Sequence, residues 1–308
     1  MKVLVAGGAG FVGRHLVRYL LDDGHKVTIF DNLSNSSRDN IMALTKRGAK
    51  FVQSDILNYK ILLKHVRRND FVIHLAAKID VEESLSFPHI TNSVNVDGTI
   101  NVLRACVESK VKNFITTSSA AVYGNSSKIP IKEDDRTIPI SPYGASKLSM
   151  EHYVQVFSHS YDLNCVILRF FNIYGPGQSS AYAGVISKFM SNIKNDKPLI
   201  VFGDGKNTRD FVSIEDAVWA ISLAMKKINN KKGNIYNIAT GTSFAINDLA
   251  KLMISISGKK LKVIHTKSKK GDIIHSKASI ALAKKDLGYV PKIRLRDGMD
   301  KLIKTISF

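Results

Sequence analysis

The chain has 308 residues, 44% hydrophobic and 23% charged, with two cysteines, Cys106 and Cys165. That balance excludes a disordered or collagen-like chain, and two cysteines without metal-ligand spacing exclude a disulfide framework. The excess of 45 Lys+Arg over 26 Asp+Glu attracts anions. However, its densest stretch, from Lys259-Lys260 to Lys269-Lys270, lacks the interleaved aromatics of nucleic-acid modules, so no nucleic-acid partner is expected. No apolar run approaches the roughly 18 residues that span a bilayer, and the N-terminus runs straight into glycines. The expectation is a cytoplasmic protein with no membrane partner.

In chain order, Lys2-Val3-Leu4-Val5-Ala6 reads as a buried strand, and Phe11, Val12, Leu16, Val17, Leu20 and Leu21 recur at helical spacing after it. Val27-Thr28-Ile29-Phe30, Lys50-Phe51-Val52, Phe71 to Leu75, Asn113 to Thr116 and Cys165 to Leu168 read as further strands. Helical patterns around 57–68, 92–109 and 143–160 separate them. Strands apolar on both faces that alternate with helices imply a Rossmann-type, doubly wound parallel α/β sheet. After about residue 172 glycine and proline become denser. The expected organisation is a dinucleotide-binding domain over 1–172, with 210–240 returning to it, and a smaller C-terminal substrate-binding domain within 173–308.

The first strand leads into Gly7-Gly8-Ala9-Gly10-Phe11-Val12-Gly13. Gly8, Gly10 and Gly13 meet the dinucleotide fingerprint, and Gly7, Gly10 and Gly13 form a three-residue repeat. Such glycines let the backbone approach a pyrophosphate at a helix N-terminus, where free N–H groups favour anions. Asp31 ends the second strand, 18 residues beyond Gly13. A carboxylate there accepts ribose hydroxyls and repels a 2′-phosphate, which favours NAD over NADP. Arg38 reads as a surface residue. Asp55 ends the third strand and is either a helix cap or a contact to the adenine amine.

Tyr143 and Lys147 are four residues apart, behind Ser141-Pro142, an N-cap and first-turn proline. The spacing sets both on one helix face, and an ammonium beside a phenol lowers the phenol's pKa toward a value useful for taking a proton. The nine histidines show no zinc-type pairing, so no metal is expected, and His74 reads as a structural strand end.

Over nearly its whole length the chain resembles the extended short-chain dehydrogenase/reductases, and within them the UDP-glucose 4-epimerase-like enzymes. The resemblance rests on the glycine motif, Asp31-Asn32-Leu33-Ser34-Asn35-Ser36, Asp55-Ile56, His74-Leu75-Ala76-Ala77, Asn95-Val96-Asp97-Gly98-Thr99 and Ser118 to Gly124. Tyr143-Gly-Ala-Ser-Lys147, Arg169-Phe170-Phe171-Asn172, Gly203-Asp204-Gly205, Thr208 to Val212 and Lys270-Gly271-Asp272 extend it. It implies Ser119, Tyr143 and Lys147 as the catalytic group. Tyr143 would be the base for a sugar 4-hydroxyl, Ser119 would bond the same oxygen, and Lys147 would hold the nicotinamide ribose. It implies an NAD site lined by Gly7, Gly10, Phe11, Val12, Gly13, Asp31, Asn32, Ser34, Asn35, Ser36, Asp55, Ile56, Leu75, Ala76, Ala77, Lys78, Asn95, Tyr143, Lys147 and Phe171. Asn172, Arg209 and Lys269 would hold the diphosphate of a UDP-sugar, and Ser276 would flank the sugar. A homodimer through the helices at 92–109 and 143–160 is also implied.

Ala120-Ala121 stand where 4,6-dehydratases of this family carry an acidic residue, which argues for epimerisation. Another nucleotide-sugar enzyme of the family, such as a UDP-glucuronate epimerase or decarboxylase, is the alternative. A non-catalytic NAD-sensing protein on the same fold is a third reading, opposed by the presence of the whole Ser119/Tyr143/Lys147 set. Three departures stand out. Lys269 replaces the usual arginine, Lys78-Ile79-Asp80 replaces smaller residues, and Ser279 replaces a common aspartate, while Ser276 is small enough to admit an N-acetyl group.

Overall fold

The computed structural model describes residues 1–178, 184–268 and 273–305. The first strand β1 (Lys2–Ala6) is followed by α1 (Phe11–Asp22), β2 (Lys26–Asp31), α2 (Asp39–Lys46), β3 (Lys50–Gln53), α3 (Tyr59–Val66) and β4 (Phe71–His74). Two short helices, α4 (Val81–Ser86) and α5 (Pro88–Asn92), then meet a π-helical turn (Ser93–Asp97) and α6 (Gly98–Glu108). β5 (Asn113–Ser119), α7 (Pro142–Ser160) and β6 (Asn164–Phe170) complete the alternation. Beyond them come β7 (Asn172–Tyr174), α8 (Val185–Lys194), β8 (Leu199–Phe202), β9 (Thr208–Ser213), α9 (Ile214–Lys226), β10 (Lys232–Ile238), β11 (Ser243–Ala245), α10 (Ile246–Ser257), β12 (Val263–Thr266), α11 (Ala281–Leu287) and α12 (Leu295–Lys304).

Seven strands form one sheet in the order β10-β6-β5-β4-β1-β2-β3. β1 pairs in parallel with both β2 and β4, so the winding reverses beside it, and such a reversal opens a crevice at the carboxyl ends of the strands. Val3, Leu4, Val5 and Ala6 are all fully buried, as a strand covered by helices on both faces must be. The expected α/β architecture is present. The helical pattern expected over 92–109 is realised as the π-turn followed by α6.

The chain divides into two compact units. The first comprises Met1–Val122, Pro139–Arg169 and Val218–Tyr236. Its core packs Leu4, Phe30, Leu62, Val72, Val102, Phe114, Val154 and Ile167 between sheet and helices. The second comprises Tyr123–Ile138, Phe170–Ala217 and Asn237–Phe308, around Phe189, Leu199, Phe211, Leu249 and Met299. Within it β9 lies between β11 and β7, and β12 pairs in parallel with β8. Tyr123–Ile138 groups with this second unit. The Tyr123 hydroxyl donates to the side-chain carbonyl of Asn237 (2.7 Å), and the backbone N–H of Ile131 donates to Lys277 (2.8 Å). The returning segment is correspondingly shorter than 210–240.

Candidate active site

In the first unit the turn after β1 is built around absent side chains. Gly7 has φ +80°, and a Cβ on it would lie 2.5 Å from the Ala76 nitrogen. A Cβ on Gly13 would lie 2.2 Å from the Gly7 carbonyl oxygen, so the first turn of α1 sits directly on the β1–α1 loop. Gly10 is the N-cap residue and provides no side-chain cap. The N–H groups of Phe11, Val12 and Gly13 therefore occupy the helix positions that lack an intrahelical partner. The cradle presents backbone donors and excludes side chains, which suits a pyrophosphate.

Asp31 borders this loop. Its carboxylate accepts the N–H of Ala9 (3.0 Å) and of Leu33 (2.8 Å) and a bond from Ser36. Burial pushes its pKa up while these bonds oppose the rise. Two carboxylate oxygens have about four acceptor positions, so room remains for hydroxyl donors. Asn32 accepts the N–H of Ser34 (2.9 Å) and donates to Asp55 (2.7 Å), while Ser34 and Asn35 are exposed. Asp55 does not cap the helix that follows. It accepts the N–H of Leu57 (2.8 Å) as a local turn, and Asn58 caps α3 through the N–H of Ile61. Ile56 is buried in the core and would be struck by a side chain at position 98, so its side chain serves packing.

Leu75, Ala76, Ala77 and Lys78 run from β4 past Gly7. Buried Asn95, inside the π-turn, fixes their course. It accepts the N–H of Lys78 (2.8 Å) and donates to the Lys78 carbonyl (2.9 Å) and to the Ser146 hydroxyl (2.9 Å). Its amide thus ties the β4 loop to α7. The Lys78 ammonium pairs with Glu83 (2.9 Å).

α7 begins as the sequence predicts. Ser141 accepts the N–H of Gly144 (3.1 Å), and Pro142 occupies the first turn. The remaining exposed backbone donor, the N–H of Tyr143, goes to the Ser84 hydroxyl of α4 (3.2 Å), and Ser146 donates to the Tyr143 carbonyl (2.8 Å). Tyr143 is thereby held at both ends of its peptide unit, and its phenol is hydrogen-bonded to Ser119 at the end of β5. Ser119, Tyr143 and Lys147 meet in the first unit.

Their electrostatics differ from expectation. Burial raises the Tyr143 phenol, and only the Ser119 bond opposes the rise. Lys147 donates instead to the Thr117 carbonyl of β5 (3.0 Å). Spacing of four sets both residues on one face, but the four-methylene stem carries the ammonium onto the adjacent strand. Burial lowers Lys147 to about 8, opposed by Glu151. Glu151, one turn further along α7, forms a buried two-pronged bond with Arg169 of β6 (2.9 and 2.7 Å). This pair escaped the sequence reading, although Tyr143, Lys147 and Glu151 repeat every four residues. His74 Nε2 contacts Thr99 (2.9 Å), and the Thr99 hydroxyl donates to the Asn95 carbonyl (2.6 Å), which leaves Nε2–H as the donor to Thr99. Burial and Lys147 drive His74 down to about 3.

In the second unit, Asn172 of β7 pairs opposite Phe211, so Arg209, two residues before it on β9, shares its face. Thr208 bridges to His275, which places Ser276 at the next register position, beside Arg209. Ser276 is buried, with its N–H on the Thr208 carbonyl (3.1 Å). Asp210 anchors this strand. Its carboxylate accepts the N–H groups of Thr240, Gly241 and Ala278 and the Thr240 hydroxyl. Asn172 donates to the Asp210 carbonyl (3.2 Å), and Arg209 donates to the carbonyl of Thr208 (2.9 Å). Phe171 also belongs to this unit, its ring 6.4 Å from Tyr123. Lys269 lies outside the described residues. Among the described residues no cluster of His, Cys, Asp and Glu is placed to hold a metal, and no helix is long and apolar enough to cross a membrane.

Known proteins share this arrangement. The UDP-glucose 4-epimerase of Thermotoga maritima, solved with UDP-glucose, is 34% identical with a TM-score of 0.93, over 99% of this chain and 98% of that one. The UDP-N-acetylglucosamine 4-epimerase of Methanobrevibacter ruminantium M1, in complex with UDP-N-acetylmuramic acid, is 35% identical with a TM-score of 0.93, over 98% and 97%. The UDP-glucuronic acid 4-epimerase of Bacillus cereus, solved with UDP-glucuronic acid and NAD, is 34% identical with a TM-score of 0.91, over 99% of each chain. These relatives differ in sugar and agree in position inverted. A profile of the NAD dependent epimerase/dehydratase family matches residues 3–239, from the glycine cradle through the Ser119, Tyr143 and Lys147 constellation, and the chain belongs to that family.

Proposed function

We propose that this protein is an NAD-dependent 4-epimerase of a UDP-hexose, acting on UDP-glucose and UDP-galactose. The observation that carries the reading is the Tyr143 phenol, bonded to Ser119 with Lys147 one turn away, in the same unit as a glycine turn whose close packing leaves backbone N–H groups at the start of α1. When bound, NAD would supply the hydride-transfer chemistry at C4. Gly7, Gly10, Gly13 and the N–H groups of Phe11 and Val12 hold its pyrophosphate. Asp31 holds its adenosine ribose, as the spare acceptor capacity of its carboxylate allows.

Tyr143 takes the proton from the 4-hydroxyl and gives it back after the sugar has turned, and Ser119 bonds the same oxygen and fixes its direction. Lys147 holds a ribose and supplies positive charge beside the phenol once that ligand draws its ammonium from Thr117. Asn172 and Arg209, on one face of β7 and β9, grip the diphosphate together with Lys269. Orientation and electrostatics are the protein's contribution. Ser276, small and adjacent to Arg209, leaves space for an N-acetyl group, so UDP-GlcNAc is a second substrate. A homodimer through α6 and α7 is supported by exposed Tyr153 and Val156 on α7. The two buried, unpaired cysteines suit a cytoplasmic enzyme.

Proton NMR of the protein with UDP-glucose and NAD tests the reading. Appearance of UDP-galactose, abolished in Tyr143→Phe, establishes it. Absence of the C4 epimer with UDP-glucose, combined with turnover of UDP-glucuronate, replaces the neutral sugar by the uronate. No turnover of either sugar or of UDP-GlcNAc overturns the epimerase reading.

A further inference from the structure

We propose that Glu151, clamped by Arg169, is a positioning residue for the reaction, holding Lys147 as an ammonium ion at the reacting centre. The proposal rests on the epimerase reading for what Lys147 does, though not for its charge. Glu151 and Arg169 form the one ion pair among the described residues whose two side chains are nearly inaccessible, at 1% and 4% exposure. Replacing such a pair by apolar residues of similar volume is often neutral or stabilising, so stability alone gives little reason to keep it. Its place gives a better one. Lys147 is buried, with one neutral carbonyl as its bonding partner, and burial favours loss of its proton.

The charged groups on the packed elements leave Glu151 as the compensating charge. Glu83 of α4 pairs with Lys78, and Arg104 pairs with Glu108 on α6. Glu82 on α4 and His89 on α5 are exposed, His74 of β4 is neutral, and Tyr143 is neutral. Glu151 lies one turn from Lys147 and raises its proton affinity. Arg169, gripping both carboxylate oxygens, fixes the Glu151 rotamer.

The test compares wild type, Glu151→Gln, Glu151→Asp and the double variant Glu151→Leu/Arg169→Met. One readout is the pH profile of kcat for the holoenzyme with UDP-glucose. The other is the titration of the Lys147 side chain by 13C NMR, assigned with Lys147→Met. The expected result is a midpoint lowered by about one pH unit or more in Glu151→Gln, an alkaline limb of kcat that moves with it, and retention of both in Glu151→Asp. Should Glu151→Gln fail to fold, the double variant carries the test, and its midpoint stays below that of wild type. An unchanged midpoint in Glu151→Gln, or a double variant that restores both midpoint and rate, overturns the proposal and leaves the pair a packing element. A wild type inactive on every UDP-sugar refutes the epimerase reading instead, and the NMR titration still decides the charge.

Discussion

Lys147→Met separates the chemical use of this lysine from its effect on stability. Without bound nucleotide, Lys147 has its proton affinity lowered from 10.5 to about 8 by burial. At 1.36 kcal/mol per unit, that shift corresponds to about 3 kcal/mol of differential interaction between its two protonation states. The sign follows from proton counting. Between about pH 8 and 10.5 the unfolded chain still holds this proton while the folded protein has released it, so the lysine's contribution to stability rises with pH in that window. Below pH 8 both states are protonated and the full penalty for burying the ammonium applies. Its bond to Thr117 offsets part of that penalty, by about 1.5–3 kcal/mol. Lys147→Met should therefore be about as stable as wild type at pH 7 or slightly more so, and wild type should gain on it by about 3 kcal/mol by pH 10.5. Urea unfolding of both proteins, freed of dinucleotide, over pH 7 to 10.5 measures the gap. A gap that does not change with pH refutes the reasoning.

His74, driven down to about 3 against 6.5 in an unfolded chain, contributes stability that is lost as pH falls from 6.5. His74→Gln retains a donor toward Thr99 and should lose about 2 kcal/mol less than wild type between pH 6.5 and 4.5 in the same assay; equal losses exclude His74 as the acid-sensitive group. Gly13→Ala places a methyl 2.2 Å from the Gly7 carbonyl, so calorimetric NAD affinity should fall at least about tenfold, and an unchanged affinity removes the cradle from the cofactor site. Asp210→Asn leaves several donors without their carboxylate. It should lose at least about 2 kcal/mol of stability by urea unfolding, and a loss under about 0.5 kcal/mol would contradict the anchoring role.

Several features of this protein depend on short stretches of chain and are legible in them. Continuous apolar strands such as Val3–Ala6 can only be covered on both faces, and Gly7, Gly10 and Gly13 follow one of them into a helix. Ser141-Pro142 starts α7 because a hydroxyl and a fixed φ satisfy that turn whatever packs around it. Ordered motifs together with helical spacing pick out Ser119, Tyr143 and Lys147, and the Tyr143 phenol does bond Ser119.

What folding decided is where long side chains end and which polar groups share a partner. Lys147 reaches a carbonyl on β5 instead of the phenol four residues away, because its stem can swing toward whichever neighbour the sheet presents. Glu151 and Arg169, 18 residues apart in sequence, find each other only when α7 lies on β6. The side chains of Asp55 and Asn95 bond Leu57, Asn32, Lys78 and Ser146, partners that no local motif names. Burial, too, is collective. It pushes Tyr143 up, Lys147 down and His74 further down, and no local pattern of residues encodes it, because desolvation depends on every element that closes over a group.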